Sequence, residues 1–172
     1  MSSCAIANDC DRINHYDFDM ERMTSFEGDT GPYLQYAHAR LCSIHRKAST
    51  AVSDIPSDLT TADLTLLTEP HAIDVVKQLA SWPDVFLNTV KTQEPATVLT
   101  YLFRMTHSVS SSYEHLQVVG SPREVMLARL ALYSAAVQVL NNAMRLLGLS
   151  PVERYGFPKS IRCTTTNLVG RM

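Results

Sequence analysis

The sequence predicts an all-α fold, a bundle of about five helices, and three observations carry that expectation. Apolar residues recur at spacings of three and four along several long stretches, the period of a helix that buries one face. Prolines stand repeatedly at the heads of those stretches, where a missing N–H costs nothing. The β-branched alternation of half-buried strands is scarce. At 172 residues and 45% hydrophobic content the chain is large enough for one buried core.

In chain order, residues 1–24 carry charges and aromatics without period. Asp17, Asp19 and Glu21 cluster there, but without the glycine and terminal glutamate of a calcium loop, so a solvated edge is expected and no metal site. Ser25–Gly31 reads as a turn, since Gly28, Asp29, Thr30 and Gly31 accept unusual backbone angles or bond their own main chain. The first helix is predicted from about Pro32 to Ala48, with Leu34, Ala37, Leu41, Ile44 and Ala48 facing the core. Residues 49–62 read as a polar, proline-punctuated loop.

Prolines then open three further helices. Thr68-Glu69-Pro70 starts one with Ala72, Ile73, Val75, Val76, Leu79 and Ala80 apolar. Ser81-Trp82-Pro83 starts a shorter one through Val90. Glu94-Pro95 begins a long one to about Val119, stopped by Gly120, with Val98, Leu102, Met105, Val109 and Leu116 in period. The last helix has the sharpest boundaries: Ser121 caps, Pro122 takes the first turn and Glu124 completes a capping box. Met126, Leu130, Tyr133, Val137, Leu140, Met144 and Leu147 follow in period until Gly148 and Pro151 stop it.

The net charge of −2 speaks against a general nucleic-acid glue, yet it conceals a gradient. Up to Thr30, seven acids face two arginines, whereas from Ser121 onward seven basic residues face two acids. Between Thr30 and Ala51, Arg40, Arg46 and Lys47 stand with no acid. The first helix therefore carries a second stripe, Tyr33, Tyr36, Arg40 and Lys47, roughly 90° from its apolar one. Two aromatics and a guanidinium on one face can stack on bases and grip phosphate; equally, the tyrosines can simply pack between helices.

Chemistry of other kinds has no footing in these residues. There is no phosphate-binding glycine loop and no metalloprotease motif, and the six glycines do not cluster. The histidines at 15, 38, 45, 71, 107 and 115 have no nucleophile beside them, although His38 and His45 can share a helix face. Cys4, Cys10, Cys42 and Cys163 lack metal-ligand or redox spacing, so incidental reduced thiols are expected. No run approaches the roughly 18 apolar residues of a membrane span, and MSSCAIANDCDR is unlike a secretory signal. The residues alone yield no catalytic, cofactor or metal site.

SFEGDTGPYLQYAHARL, together with RINHYDFDMERM before it, EPATVLTYLFRMTHSVSSSY in the middle and ARLALYSAAVQVLNNAMRLLGLSPVER near the end, strongly resembles arginine–tRNA ligases of eukaryotic type. These segments occur in the same order as in that family and span roughly Ile6 to Arg154. The resemblance implies the helical anticodon-binding domain called DALR, of the class I aminoacyl-tRNA synthetase type, over residues 25–154. It implies a remnant of the end of the catalytic region over 1–24, and leaves 155–172 as an unmatched tail, expected to be disordered.

The partner so implied is tRNA-Arg, bound in arginyl-tRNA formation, with a catalytic synthetase partner or a multi-synthetase assembly as further candidates. Tyr33, Tyr36 and Arg40 match family positions facing the anticodon loop, Tyr113 matches one on the long helix, and Gln117 stands one expected helical turn later, where some relatives carry an aromatic. The turn Phe26–Gly31 resembles a loop near the tRNA. ATP and magnesium are implied for the full-length enzymes only, because the family's two nucleotide-site signatures have no match in this chain. A cytoplasmic location is expected, with a mitochondrial form open. Two other readings stay open at this point: a protein-interaction helical module, and a splice or gene-model fragment with no role of its own.

Overall fold

The structure, a computed structural model, describes residues 29–52, 55–56, 59 and 61–154. The readings for residues 1–24, for the turn before Asp29, for Cys4, Cys10 and Cys163, and for the tail from 155 to 172 lie outside the described residues. Four α-helices make up the described part: α1 (Gly31–Ala51), α2 (Pro70–Thr92), α3 (Pro95–His115) and α4 (Arg123–Leu146), with a short 3-10 turn at Leu64–Leu66 before α2. None of these helices is long and apolar enough to cross a membrane.

α2 and α3 form a tight antiparallel hairpin, α4 packs against α1 and α2, and α1 closes the bundle over α3 and α4. The periodic apolar positions do what their spacing requires. Leu34, Leu41 and Ala48 of α1 are buried, as are Val98, Leu102, Met105 and Val109 of α3 and Met126, Leu130, Tyr133, Leu140 and Met144 of α4. At about 25 cal/mol per Å² removed from water, such residues dominate the drive to fold.

Helix ends explain most of the boundaries. Thr30 caps α1, its hydroxyl accepting from the Tyr33 N–H at 3.4 Å. α4 ends in a paired-bond stop: the Gly148 N–H reaches Arg145 O and the Leu149 N–H reaches Met144 O, both at 2.9 Å. That closure puts residue 148 at φ +75°, which a glycine adopts without strain.

Four expectations need correction. Pro83 does not open a helix of its own; α2 runs unbroken from Pro70 to Thr92, so the described helices number four. Pro83 removes one ladder bond, while the neighbouring Gln78 carbonyl is taken by the hydroxyls of Ser81 at 2.8 Å and Tyr101 at 2.9 Å. α1 continues through residues 49–51, whose Ser49 and Thr50 hydroxyls bond back to His45 O and Arg46 O. α3 stops at His115, not Val119, and Gly120 lies in the following turn at φ +94°. The capping box does not form: Pro122 occupies the N-cap of α4 without a side-chain cap bond, and Ser121 turns its hydroxyl to Gln117 O instead. The apolar residues of α2 do not all face inward: Ile73 and Val76 are 41% and 44% exposed.

Candidate nucleic-acid interface

The aromatic-basic stripe of α1 meets α3 along one edge of the bundle. Tyr33 is tied down: its hydroxyl lies 3.2 Å from the Ser110 hydroxyl, and its ring tilts against His107 at 5.6 Å. Asp29 anchors the same edge through a 2.8 Å contact between its carboxylate and His107 Nε2. One turn further, Tyr36 is 47% exposed. One more turn brings Arg40, whose guanidinium carbon sits 4.2 Å above the centre of the Tyr113 ring. A cation over an aromatic face is attracted by the ring's negative π-surface.

Tyr113 holds the centre of the arrangement. Its ring leans on Tyr133 at 5.6 Å, and its hydroxyl is buried with no partner among the described residues. Burial pushes the Tyr113 phenol well up, an effect that the Arg40 charge opposes and the neighbouring Tyr133, Tyr33 and Tyr36 reinforce. It therefore remains a neutral hydroxyl with both its hydrogen and its lone pairs uncommitted within the described residues.

Beside the ring opens a recess of about 240 Å³ lined by Arg40, Ser43, Lys47, Tyr113, Gln117 and Val119, among others. A second, shallower hollow continues past Arg46, Lys47 and Thr50. Three of the five residues singled out from sequence thus share one recess, Arg40, Tyr113 and Gln117, while Tyr33 and Tyr36 flank it without lining it. Gln117 reaches it by a different route from the one expected, because α3 has already ended and an irregular segment carries it there. Ser43 and Val119 were missed. Ser43 was findable, since Arg40, Ser43 and Lys47 continue the Tyr36 stripe at spacings of three and four.

The opposite flank of α1 has another task. The Gln35 carboxamide donates to Ser150 O at 3.0 Å and accepts from the Val152 N–H at 2.9 Å. His38 donates Nδ1–H to Val152 O at 3.0 Å, and Arg46 reaches Glu153 O at 3.1 Å. Cys42 sits behind them, its thiol pushed up by burial and by the Glu153 charge, with Arg46 opposing. This row clamps the segment after α4 onto α1, on the side of the helix away from the aromatic-basic row.

An all-α bundle with an aromatic-basic helix edge beside a recess has the chemistry to stack and hold single-stranded bases. Residues 34–155 match the family model described as the DALR anticodon binding domain, and the chain belongs to that family. Within it, the chain is 57% identical over 143 residues to the arginine–tRNA ligase, cytoplasmic, of Saccharomyces cerevisiae, covering 83% of this chain and 23% of that one. It is 52% identical over 143 residues to the mitochondrial arginine–tRNA ligase of the same organism, covering 83% of this chain and 22% of that relative. The arginyl-tRNA synthetase structure from Plasmodium falciparum superposes with a TM-score of 0.72 at 28% identity, over 88% of this chain and 26% of that one. The chain spans less than a quarter of the length of these curated relatives.

Proposed function

We propose that the chain is the tRNA-Arg anticodon-binding part of an arginine–tRNA ligase, contributing recognition to arginyl-tRNA formation. One observation carries the site assignment: an unpartnered, buried Tyr113 hydroxyl beside a recess roofed by Arg40. Single-stranded RNA is recognised by splaying bases onto aromatic or guanidinium planes and bonding their edges. Here Tyr36 and the Arg40–Tyr113 pair offer the planes, Gln117 and Tyr113 offer edge partners, and Lys47 meets phosphate. A stacked base contributes about 1–3 kcal/mol, so a few contacts suffice without a strongly basic surface.

ATP and magnesium belong, in this reading, to parts of the longer relatives beyond the described residues. Among the described residues no group of three or more His, Cys, Asp or Glu side chains converges to hold a metal ion. The cytoplasm is the proposed location, following the cytoplasmic relative, while the mitochondrial one keeps that compartment in play.

Titration of the chain with tRNA-Arg, and with the same tRNA altered at the middle anticodon base, tests the proposal. Tighter binding of the unaltered tRNA is expected, weakened by Arg40→Ala with the helical signal intact. Equal affinity for both tRNAs would refute anticodon readout by this chain.

A docking role draws on a separate observation. A groove of about 600 Å³ between α2 and α4 is lined by Leu64, Ile73, Val76, Leu79 and Leu132, with Ile73 and Val76 substantially exposed. Co-sedimentation with the catalytic body of an arginine–tRNA ligase, abolished by Ile73→Asp, is the expected result for that role. Failure to co-sediment would remove it.

A further inference from the structure

We propose that Arg129 is a positioning residue for the recess, acting through the segment that follows α3. The inference rests on the reading of the recess as an RNA-base site. Gln117, Val118 and Val119 form one wall of that recess, yet they lie beyond the last helical residue, His115, and have no helix ladder to hold them. A single guanidinium supplies what the ladder does not. Arg129 Nη1, on α4, donates to the Gln117 carbonyl and, at 2.8 Å, to the Ser121 hydroxyl. The Ser121 hydroxyl donates in turn to the same Gln117 carbonyl at 2.8 Å. Arg129 Nη2 pairs with the Glu69 carboxylate at the N-cap of α2.

The result is a closed ring of hydrogen bonds across residues 117–121, locked to both α2 and α4. Gly120 completes it: at φ +94° it turns the chain so that Ser121 faces back onto Gln117. Leu116 and Val118 are buried at 2% and 6%, while Gln117 is exposed, so the ring fixes which side chains of this segment face outward. The clamp uses the fixed planar fork of arginine, serving Gln117 and Ser121 with one nitrogen and Glu69 with the other. Lysine keeps the charge but, as a flexible point donor, lacks that fork. Arg129 itself lies on the far side of the wall and is absent from the recess lining.

The test uses the whole chain carrying Arg129→Lys, with Ser121→Ala as a gentler second variant should the first fail to fold. Amide exchange across 116–121 and affinity for tRNA-Arg and its middle-anticodon variant are read together. Arg129→Lys is expected to speed exchange in that segment about tenfold, with the four helices still protected. The ratio of affinities between the two tRNAs should fall roughly tenfold, the loss of one ordered base contact. A merely structural role would lower the melting temperature and weaken both tRNAs equally, which would overturn the proposal. Unchanged exchange at 116–121 in a folded variant would overturn it too. If the unaltered chain failed to discriminate the two tRNAs, the anticodon reading would fall by itself. The exchange arm would then judge the clamp alone: localised acceleration supports it, and uniform or absent acceleration refutes it.

Discussion

Gln35 pairs with Val152 as one strand pairs with another: the Val152 N–H donates to Gln35 Oε1 at 2.9 Å, and the same carboxamide donates to Ser150 O at 3.0 Å. Gln35 is 6% exposed and Val152 half-buried, whereas Ser150 is exposed, so it is chiefly the Val152 N–H that is left short of a partner when the amide is removed. Gln35→Leu is expected to destabilise the fold by about 1–3 kcal/mol, the cost of buried groups left unpaired. Denaturant unfolding measures it; a variant as stable as the parent would show that the segment finds other partners.

Tyr113 allows the packing and binding roles to be separated. Its hydroxyl is buried without a partner among the described residues, so Tyr113→Phe removes a poorly satisfied group and leaves no cavity. Stability should hold or rise by about 1 kcal/mol. Affinity for tRNA-Arg should fall roughly tenfold if that hydroxyl serves a base edge. A less stable variant with undiminished affinity would assign Tyr113 to the core.

Alkaline pH supplies a test that needs no RNA. Burial pushes the Tyr101 phenol up to about 12 from its ordinary value of 10.0, and its hydroxyl donates to Gln78 O at 2.9 Å. The folded protein therefore holds that proton more tightly than the unfolded chain does. The associated stability is complete below pH 10 and is lost progressively as pH rises toward 12. Tyr101→Phe should flatten that part of the profile of melting temperature against pH. An equally steep loss in the variant would assign the alkaline sensitivity to other tyrosines.

Pro83 predicts a gain. It is exposed in the middle of α2, where it removes one ladder bond. Pro83→Ala should stabilise the chain, by up to about 3 kcal/mol, in thermal melts. A loss instead would mean that the proline fixes a bend that the packing requires.

The bundle was legible wherever local and tertiary demands coincide. The Leu34–Ala48 stripe, the buried period of α3 and the stop at Gly148 follow from spacing and backbone angles within one element. The misreadings arose where a partner far along the chain intervened. Pro83 has the context of a helix start, and nothing in Ser81-Trp82-Pro83 announces that Leu79, Trp82 and Val85, on both sides of it, pack against one core. Ser121 looked like a cap, but the Gln117 carbonyl and Arg129 claim its hydroxyl. At the candidate site, Tyr36 and Arg40 stand out as residue types at helical spacing, whereas Tyr113 is singled out by the family resemblance alone. That Tyr33 is held by Ser110 and that Gln117 lies beyond the helix depends on the angle at which two helices meet and where one frays, which spacing does not encode.

The clamp between α1 and the segment after α4 also bears on the order of events in folding. Its hydrogen bonds join residues 107 to 117 positions apart in the chain, the longest loops among the side-chain bonds of the described fold. Closing such loops costs entropy before any contact compensates, so these bonds belong to the last steps of folding. On a ribosome, α1 emerges before the other three described helices yet waits for Val152 before its inner flank is satisfied. The helix bearing most of the proposed RNA-reading residues is thus the first made of the four and the latest secured, and only a chain synthesised through that residue presents it in its finished form.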